Sequence, residues 1–176
     1  MALLSEYETV LHSVTFQNTS NNPSAANRTV EFVVNDGSVD SNPLSRDVEI
    51  IPVNDAPVLS TIELAPAFFT ENGSPVGITS NLAVDDIDNT QINSAKISIS
   101  NGFTPGEDVL SFTSQFGITG SFDPATGELN LSGLALLSEY ETVLHSVTFQ
   151  NTSDNPSAVN RTVEFVVNDG LSLIHI

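Results

Sequence analysis

Nearly every side chain in this protein that could do chemistry would do it through oxygen. The 176 residues include 22 Asp and Glu, three His, four Lys and Arg, and no Cys or Trp. His12 and His145 occupy one position of an internal repeat and His175 stands near the end of the chain, so no Ser-His-Asp set or His-metal spacing can be assembled. The absence of cysteine removes thiolate metal sites, cysteine nucleophiles and disulfide scaffolds together. A carboxylate pair for glycoside hydrolysis would need a cleft holding it at a fixed separation, and nothing in the spacing specifies one. What such acids can do is bind a hard cation. Calcium takes about six to eight oxygens, and carboxylates, an Asn amide and backbone carbonyls converging on one junction can supply them. Acidic turns stand at Val53-Asn54-Asp55-Ala56-Pro57 and Asp85-Asp86-Ile87-Asp88. The competing reading of Asp85 to Asp88 is a solvated turn, because Asp favours turns on its own account.

The net charge of −18 repels nucleic-acid phosphates and anionic membrane surfaces, so neither is an expected partner. Self-repulsion of this size must be diluted by spacing, external salt or bound cations, and calcium is the first cation to consider. No stretch approaches the roughly 18 apolar residues of a membrane span. The opening Met-Ala-Leu-Leu-Ser-Glu lacks the basic and apolar regions of a signal peptide, so any export signal is expected outside this sequence.

The elements that must position these acids come from a tandem repeat. Ala2 to Gly37 recurs as Ala135 to Gly170, an offset of 135 − 2 = 133 residues, and only Asn21/Asp154 and Ala26/Val159 differ. The chain is therefore expected to hold the C-terminal part of one repeat at 1–55 and a second repeat at 56–170 that lacks its last strand. The final segment, 171–176, fits no repeat position and is expected to be a non-native tail.

Alternation of apolar and polar residues marks half-buried strands at Arg28 to Val34 and Ala95 to Ser100. Similar runs occur at Ser13 to Gln17, Asp47 to Val53, Val109 to Phe112, Gly117 to Phe122, Glu128 to Leu131, Ser146 to Gln150 and Arg161 to Val167. Turn residues such as Asn101-Gly102, Pro105-Gly106 and Asp123-Pro124 separate them. In Ser138-Glu-Tyr-Glu-Thr-Val-Leu-His, Ser138 is placed to cap a helix with Glu141 reaching back, and Tyr140, Leu144 and Val147 share one face. The expected fold is all-β, an antiparallel Greek-key β-sandwich with one short helix per repeat.

Val53-Asn54-Asp55-Ala56-Pro57, lying between repeats, resembles the Asp-x-Asn-Asp-Asn-x-Pro linker of cadherins. The stretch Gly117-Ile-Thr-Gly-Ser-Phe-Asp-Pro-Ala-Thr-Gly-Glu-Leu-Asn-Leu-Ser-Gly, followed by Tyr140, Leu144 and Ser146-Val-Thr-Phe-Gln-Asn-Thr-Ser, is similar to cadherin-like repeats of large bacterial surface adhesins and repeats-in-toxin exoproteins. Related repeats occur in chondroitin sulfate proteoglycans. The resemblance implies a cadherin- or Ig-like sandwich and calcium at the linkers. Carried over by position, it implies ligands at Asn54 and Asp55 in the linker, Asp86 and Asp88 as an Asp-x-Asp pair, and Asp169 before the last hairpin. Glu71 would serve the following linker. Pro52 and Ala56 stand where further ligands would be, and only Glu139 and Glu141 approach the mid-domain acidic motif. One weaker calcium per linker is therefore expected, not a full set.

The function expected from these features is a non-enzymatic stalk or spacer repeat of a secreted, calcium-dependent surface adhesin, bacterial by its resemblance, with neighbouring repeats and other cell-surface molecules as partners. An enzyme duplicated at this fidelity would carry its catalytic residues twice. The alternative is a carbohydrate- or protein-binding module of a secreted multidomain protein, whose mark would be an exposed aromatic platform.

Overall fold

The computed structural model describes residues 2–171 and divides into two compact units, Met1–Val53 and Asn54–Ile176. The expected tail lies, from residue 172 onward, outside the described residues, as does His175.

The first unit has three elements: α1 (Leu4–His12), β1 (Arg28–Phe32) and β2 (Leu44–Val48). The two strands form an antiparallel ribbon with Arg28 opposite Val48 and Phe32 opposite Leu44. Its connection is held by Asp36, whose Oδ1 accepts the N–H groups of Ser38 and Val39 at 2.8 and 2.9 Å. No described residue of this unit is buried.

The second unit is the all-β sandwich. Its elements are β3 (Val58–Ser60), β4 (Val76–Gly77), β5 (Ala83–Asp85), β6 (Gln91–Asn101), β7 (Asp108–Ser111), β8 (Thr119–Asp123), β9 (Glu128–Leu136), α2 (Leu137–His145), β10 (Thr148–Asn151) and β11 (Thr162–Asn168). One sheet runs β11-β6-β9-β8, the second runs β4-β10-β7, and β3 pairs with β5. Every pairing is antiparallel. The period-two pattern places Ala95, Ile97 and Ile99 of β6 and Leu129 and Leu131 of β9 inside. A bulge between Ile92 and Ser94 keeps Ile92 inside as well, three residues from Ala95, by resetting the alternation.

The helix α2 closes one side of this core. Tyr140, Val143, Leu144 and the following Val147 are fully buried, each apolar side chain contributing about 1.5–3 kcal/mol of burial. Tyr140 donates its phenol to the Gly133 carbonyl at 2.6 Å. Gly133 has φ +139°, and a Cβ there would lie 2.7 Å from the Gly117 carbonyl oxygen, so no other residue lets β9 approach this loop. The shared face of Tyr140, Leu144 and Val147 is as expected, but the cap differs. The helix begins earlier, and Glu139 rather than Glu141 reaches back, accepting the Leu136 N–H at 2.8 Å. Glu141 instead accepts the Val84 N–H at 2.8 Å, tying α2 to β5.

A second correction concerns the strand expected at Ser13 to Gln17, where the first unit has no strand. Its sequence twin is β10, which lies between β4 and β7. The same residues become a strand only where both neighbours supply ladder partners, whereas the helix, whose bonds are local, forms in both copies.

Candidate metal centre

Three connections of the second unit meet at one end: its first residues, the β5–β6 turn and the residues after β11. The β5–β6 turn and the residues after β11 are shaped by short polar side chains bonding their own backbone. Asp86 Oδ1 accepts the N–H groups of Asp88 and Asn89 at 3.1 and 2.9 Å, folding the β5–β6 turn. Asn168 Oδ1 accepts the Gly170 N–H at 2.7 Å, and Asp169 Oδ1 accepts the Leu171 N–H at 2.9 Å. Gly170 sits at φ +85°, with Asn93 so close that a Cβ would lie 2.9 Å from it.

These turns bring four of the expected residues into one network. Asn54 donates Nδ2 to Asp169 Oδ2 at 2.8 Å, and the Asp55 backbone N–H donates to Asp88 Oδ2 at 3.0 Å. At the middle lies Asn89, which no motif singled out. Its Nδ2 donates to Asn54 Oδ1 at 2.7 Å, Asp88 Oδ1 at 2.9 Å and Asp169 Oδ2 at 3.3 Å. One amide nitrogen with two hydrogens thus faces three oxygens, a position suited to a positive charge. The signal available in the sequence was the Asn directly following Asp86-Ile-Asp88.

Asp86 joins the turn through Oδ1, while its Oδ2 is buried without a hydrogen-bond partner. Burial is the main reason its pKa stands above the ordinary 3.8, the neighbouring Asp88 charge adding to it, against the lowering effect of the Asn89 and Asp88 N–H groups. A buried carboxylate oxygen left unpaired is costly, and oxygen donors around it are what a calcium ion takes. Were such an ion to bind here, Asp86, Asp88, Asp169, Asn54 and Asn89 would be the residues to hold it. As the side chains stand, no three Asp, Glu or His among the described residues are gathered around one metal position; the Asn89 amide occupies the centre.

Glu71 is not part of this group. It is exposed in a turn and lines a cleft with Phe69, Phe149 and Arg161. Beside that cleft, the fully buried Asp108 accepts Arg161 Nε at 3.1 Å, Asn151 Nδ2 at 2.6 Å and the Thr104 N–H at 2.8 Å. Every Asp108 oxygen is thereby satisfied, which makes it a structural anchor of two loops. His145, in the last turn of α2, places Nε2 2.8 Å from the Leu82 carbonyl, a packing role. No helix among the described residues is long and apolar enough to cross a membrane.

No family model matches the chain, and no solved structure matches it. Among curated proteins the chain is similar to Halomucin of Haloquadratum walsbyi (strain DSM 16790 / HBSQ001), with 31% identity over 144 residues. The match takes in 78% of this chain and 2% of Halomucin, so the chain corresponds to a small part of a far longer protein.

Proposed function

We propose that this chain is a structural repeat of a large extracellular surface protein, a spacer whose second unit binds calcium through Asn54, Asp86, Asp88, Asp169 and Asn89. The observation that carries the proposal is the Asn89 amide nitrogen among three oxygens beside the unpartnered Asp86 Oδ2. Rotating that amide would present its oxygen and turn the cluster into an all-oxygen set. Tandem copies at 133 residues and the similarity to a stretch of a very long protein support the spacer reading. In a tandem array this end of each sandwich follows the preceding repeat, so an ion here would stiffen the entry to the domain. An extracellular site of this type has an affinity on the order of 10⁻⁴ to 10⁻³ M, filled outside the cell and empty within. Calorimetric titration with calcium tests it: the wild-type chain is expected to bind in that range, and the Asp86→Asn/Asp88→Asn variant, melting normally, is expected not to. Equal heats from both would refute the site.

A further inference from the structure

The pattern Asn-x-Ser/Thr, with any residue but proline in the middle, is the acceptor for N-linked oligosaccharides. The second unit carries it four times, at Asn72-Gly-Ser, Asn130-Leu-Ser, Asn151-Thr-Ser and Asn160-Arg-Thr. Residue types do not separate the four, but the fold does. A transferase must draw the three residues into its own groove, and a segment enters only where leaving its neighbours costs little. Turns open locally at almost no cost, whereas central strands open only with much of the domain.

Three of the four are held. Asn130 lies within β9 and is paired on both sides, with Lys96 of β6 and Ser121 of β8. Asn151 is 3% exposed, stands opposite Asp108 in the ladder, and donates its amide to Asp108 Oδ1 at 2.6 Å. Asn160 is exposed, but the next residue, Arg161, is clamped. Its Nε donates to Asp108 Oδ2 at 3.1 Å, and its Nη1 donates to the Ser157 and Val159 carbonyls at 2.5 and 2.7 Å. Asn72 is different. It sits in a turn ahead of β4 that belongs to no strand, and both Asn72 and Ser74 are exposed. The turn is closed by the Gly73 N–H donating to the Thr70 carbonyl at 2.8 Å, with Asn72 at φ +58°, a conformation that Asn tolerates better than most residues. Neither the Asn72 amide nor the Ser74 hydroxyl has a hydrogen-bond partner among the described residues, so the reacting group and the recognised group are both free.

We propose that Asn72 is an acceptor for an N-linked oligosaccharide, and that in the folded second unit it is the one sequence of this pattern open to transfer. The co-substrate is an oligosaccharide carried on a lipid phosphate. Asn72 Nδ2 forms a bond to C1 of the sugar next to the phosphate. The C1–oxygen bond breaks, the lipid phosphate leaves with the electron pair, and a base of the transferase takes one amide proton. The proposal rests on the extracellular reading, since this modification belongs to exported chains.

Transfer in vitro tests the site apart from that reading. The folded full chain, and separately a peptide digest of it, are incubated with lipid-linked oligosaccharide and a transferase that reads Asn-x-Ser/Thr alone, and each site is scored by peptide mass spectrometry. The Asn21/Asp154 and Ala26/Val159 differences distinguish the second unit's peptides from their twins in the first. Among the peptides all four sites are expected to react. In the folded chain Asn72 is expected to react as it does in its peptide, while Asn130, Asn151 and Asn160 fall several-fold. Ser74→Ala, which leaves Asn72 and its turn in place, is expected to abolish the product, and Ser74→Thr to keep it. An unmodified Asn72, in the folded chain or in its peptide, overturns the proposal, as does equal modification of Asn130 or Asn151 in the folded chain. Failure here leaves the calcium titration unchanged, and failure of that titration leaves this result unchanged.

Discussion

Glu63 gathers three donors on one carboxylate. Oε1 accepts the Ser80 N–H and hydroxyl at 2.7 and 2.8 Å, and Oε2 accepts the Thr79 hydroxyl at 2.7 Å. The Ser80 N–H first, then the Thr79 hydroxyl, hold its pKa at about 2 instead of 4.5. A depressed folded-state pKa means that the unfolded chain binds the proton more readily, so the contribution is complete above pH 4.5 and is lost as pH falls toward 2. Urea midpoints followed across that window are expected to fall less steeply for Glu63→Gln than for wild type, and parallel curves would show that the carboxylate is not held this way. Asp86 has the opposite sign. Its folded-state pKa is raised, so its contribution worsens as pH rises from the ordinary carboxyl value through the raised one, and the ionised group is a cost at neutral pH unless a cation sits beside it. Asp86→Asn is therefore expected to be at least as stable as wild type without calcium and less stable with calcium; a loss of stability in both buffers would mean that Asp86 acts only through its turn. Most of this site was legible in the sequence, because Asp and Asn in turns announce themselves. Asn89 was not, since its role depends on β5, β6 and the segment after β11 meeting in space. Glu71, expected to serve the following linker, lines the cleft with Phe69 and Arg161.

The tandem repeat makes a comparison of elements that few chains allow, because one helix sequence stands in two environments. Leu144 is fully buried against the sandwich, whereas its counterpart Leu11 belongs to a helix that buries no side chain. Leu144→Ala is expected to cost about 2–5 kcal/mol, and Leu11→Ala to stay within about 0.5 kcal/mol, each read from the denaturant midpoint of its own unit. Similar losses would mean that the two helices are equally packed. The pattern of strands was readable wherever apolar residues alternate over several positions, as in β6, β9 and β11. The short β3, β4 and β5 carry two or three residues each, too few to show a period, and exist because longer neighbours pair with them. Identical residues at 13–17 and in β10 give different outcomes for the same reason. Strand formation there is decided by partners distant in sequence, which local pattern does not contain.

Across the whole molecule, like-charge repulsion is the main force opposing compactness that salt can relieve. With −18 on 176 residues and a single Lys96–Glu128 ion pair besides Arg161–Asp108 among the described residues, the acids repel one another and monovalent salt screens them. Raising sodium chloride is expected to raise the melting temperature steadily, and a flat response would show that the acids are already spaced beyond effect. A specific ion must act on top of this screening. The measurement that bears most directly on the proposed calcium-binding spacer is thermal unfolding of the chain at constant high ionic strength with calcium, magnesium or neither. Binding to the folded state alone adds about 2.7 kcal/mol when calcium reaches a hundred times its dissociation constant. The expected result is a rise in melting temperature with calcium, little with magnesium, and none for Asp86→Asn/Asp88→Asn. An identical melting temperature in all three buffers would contradict it.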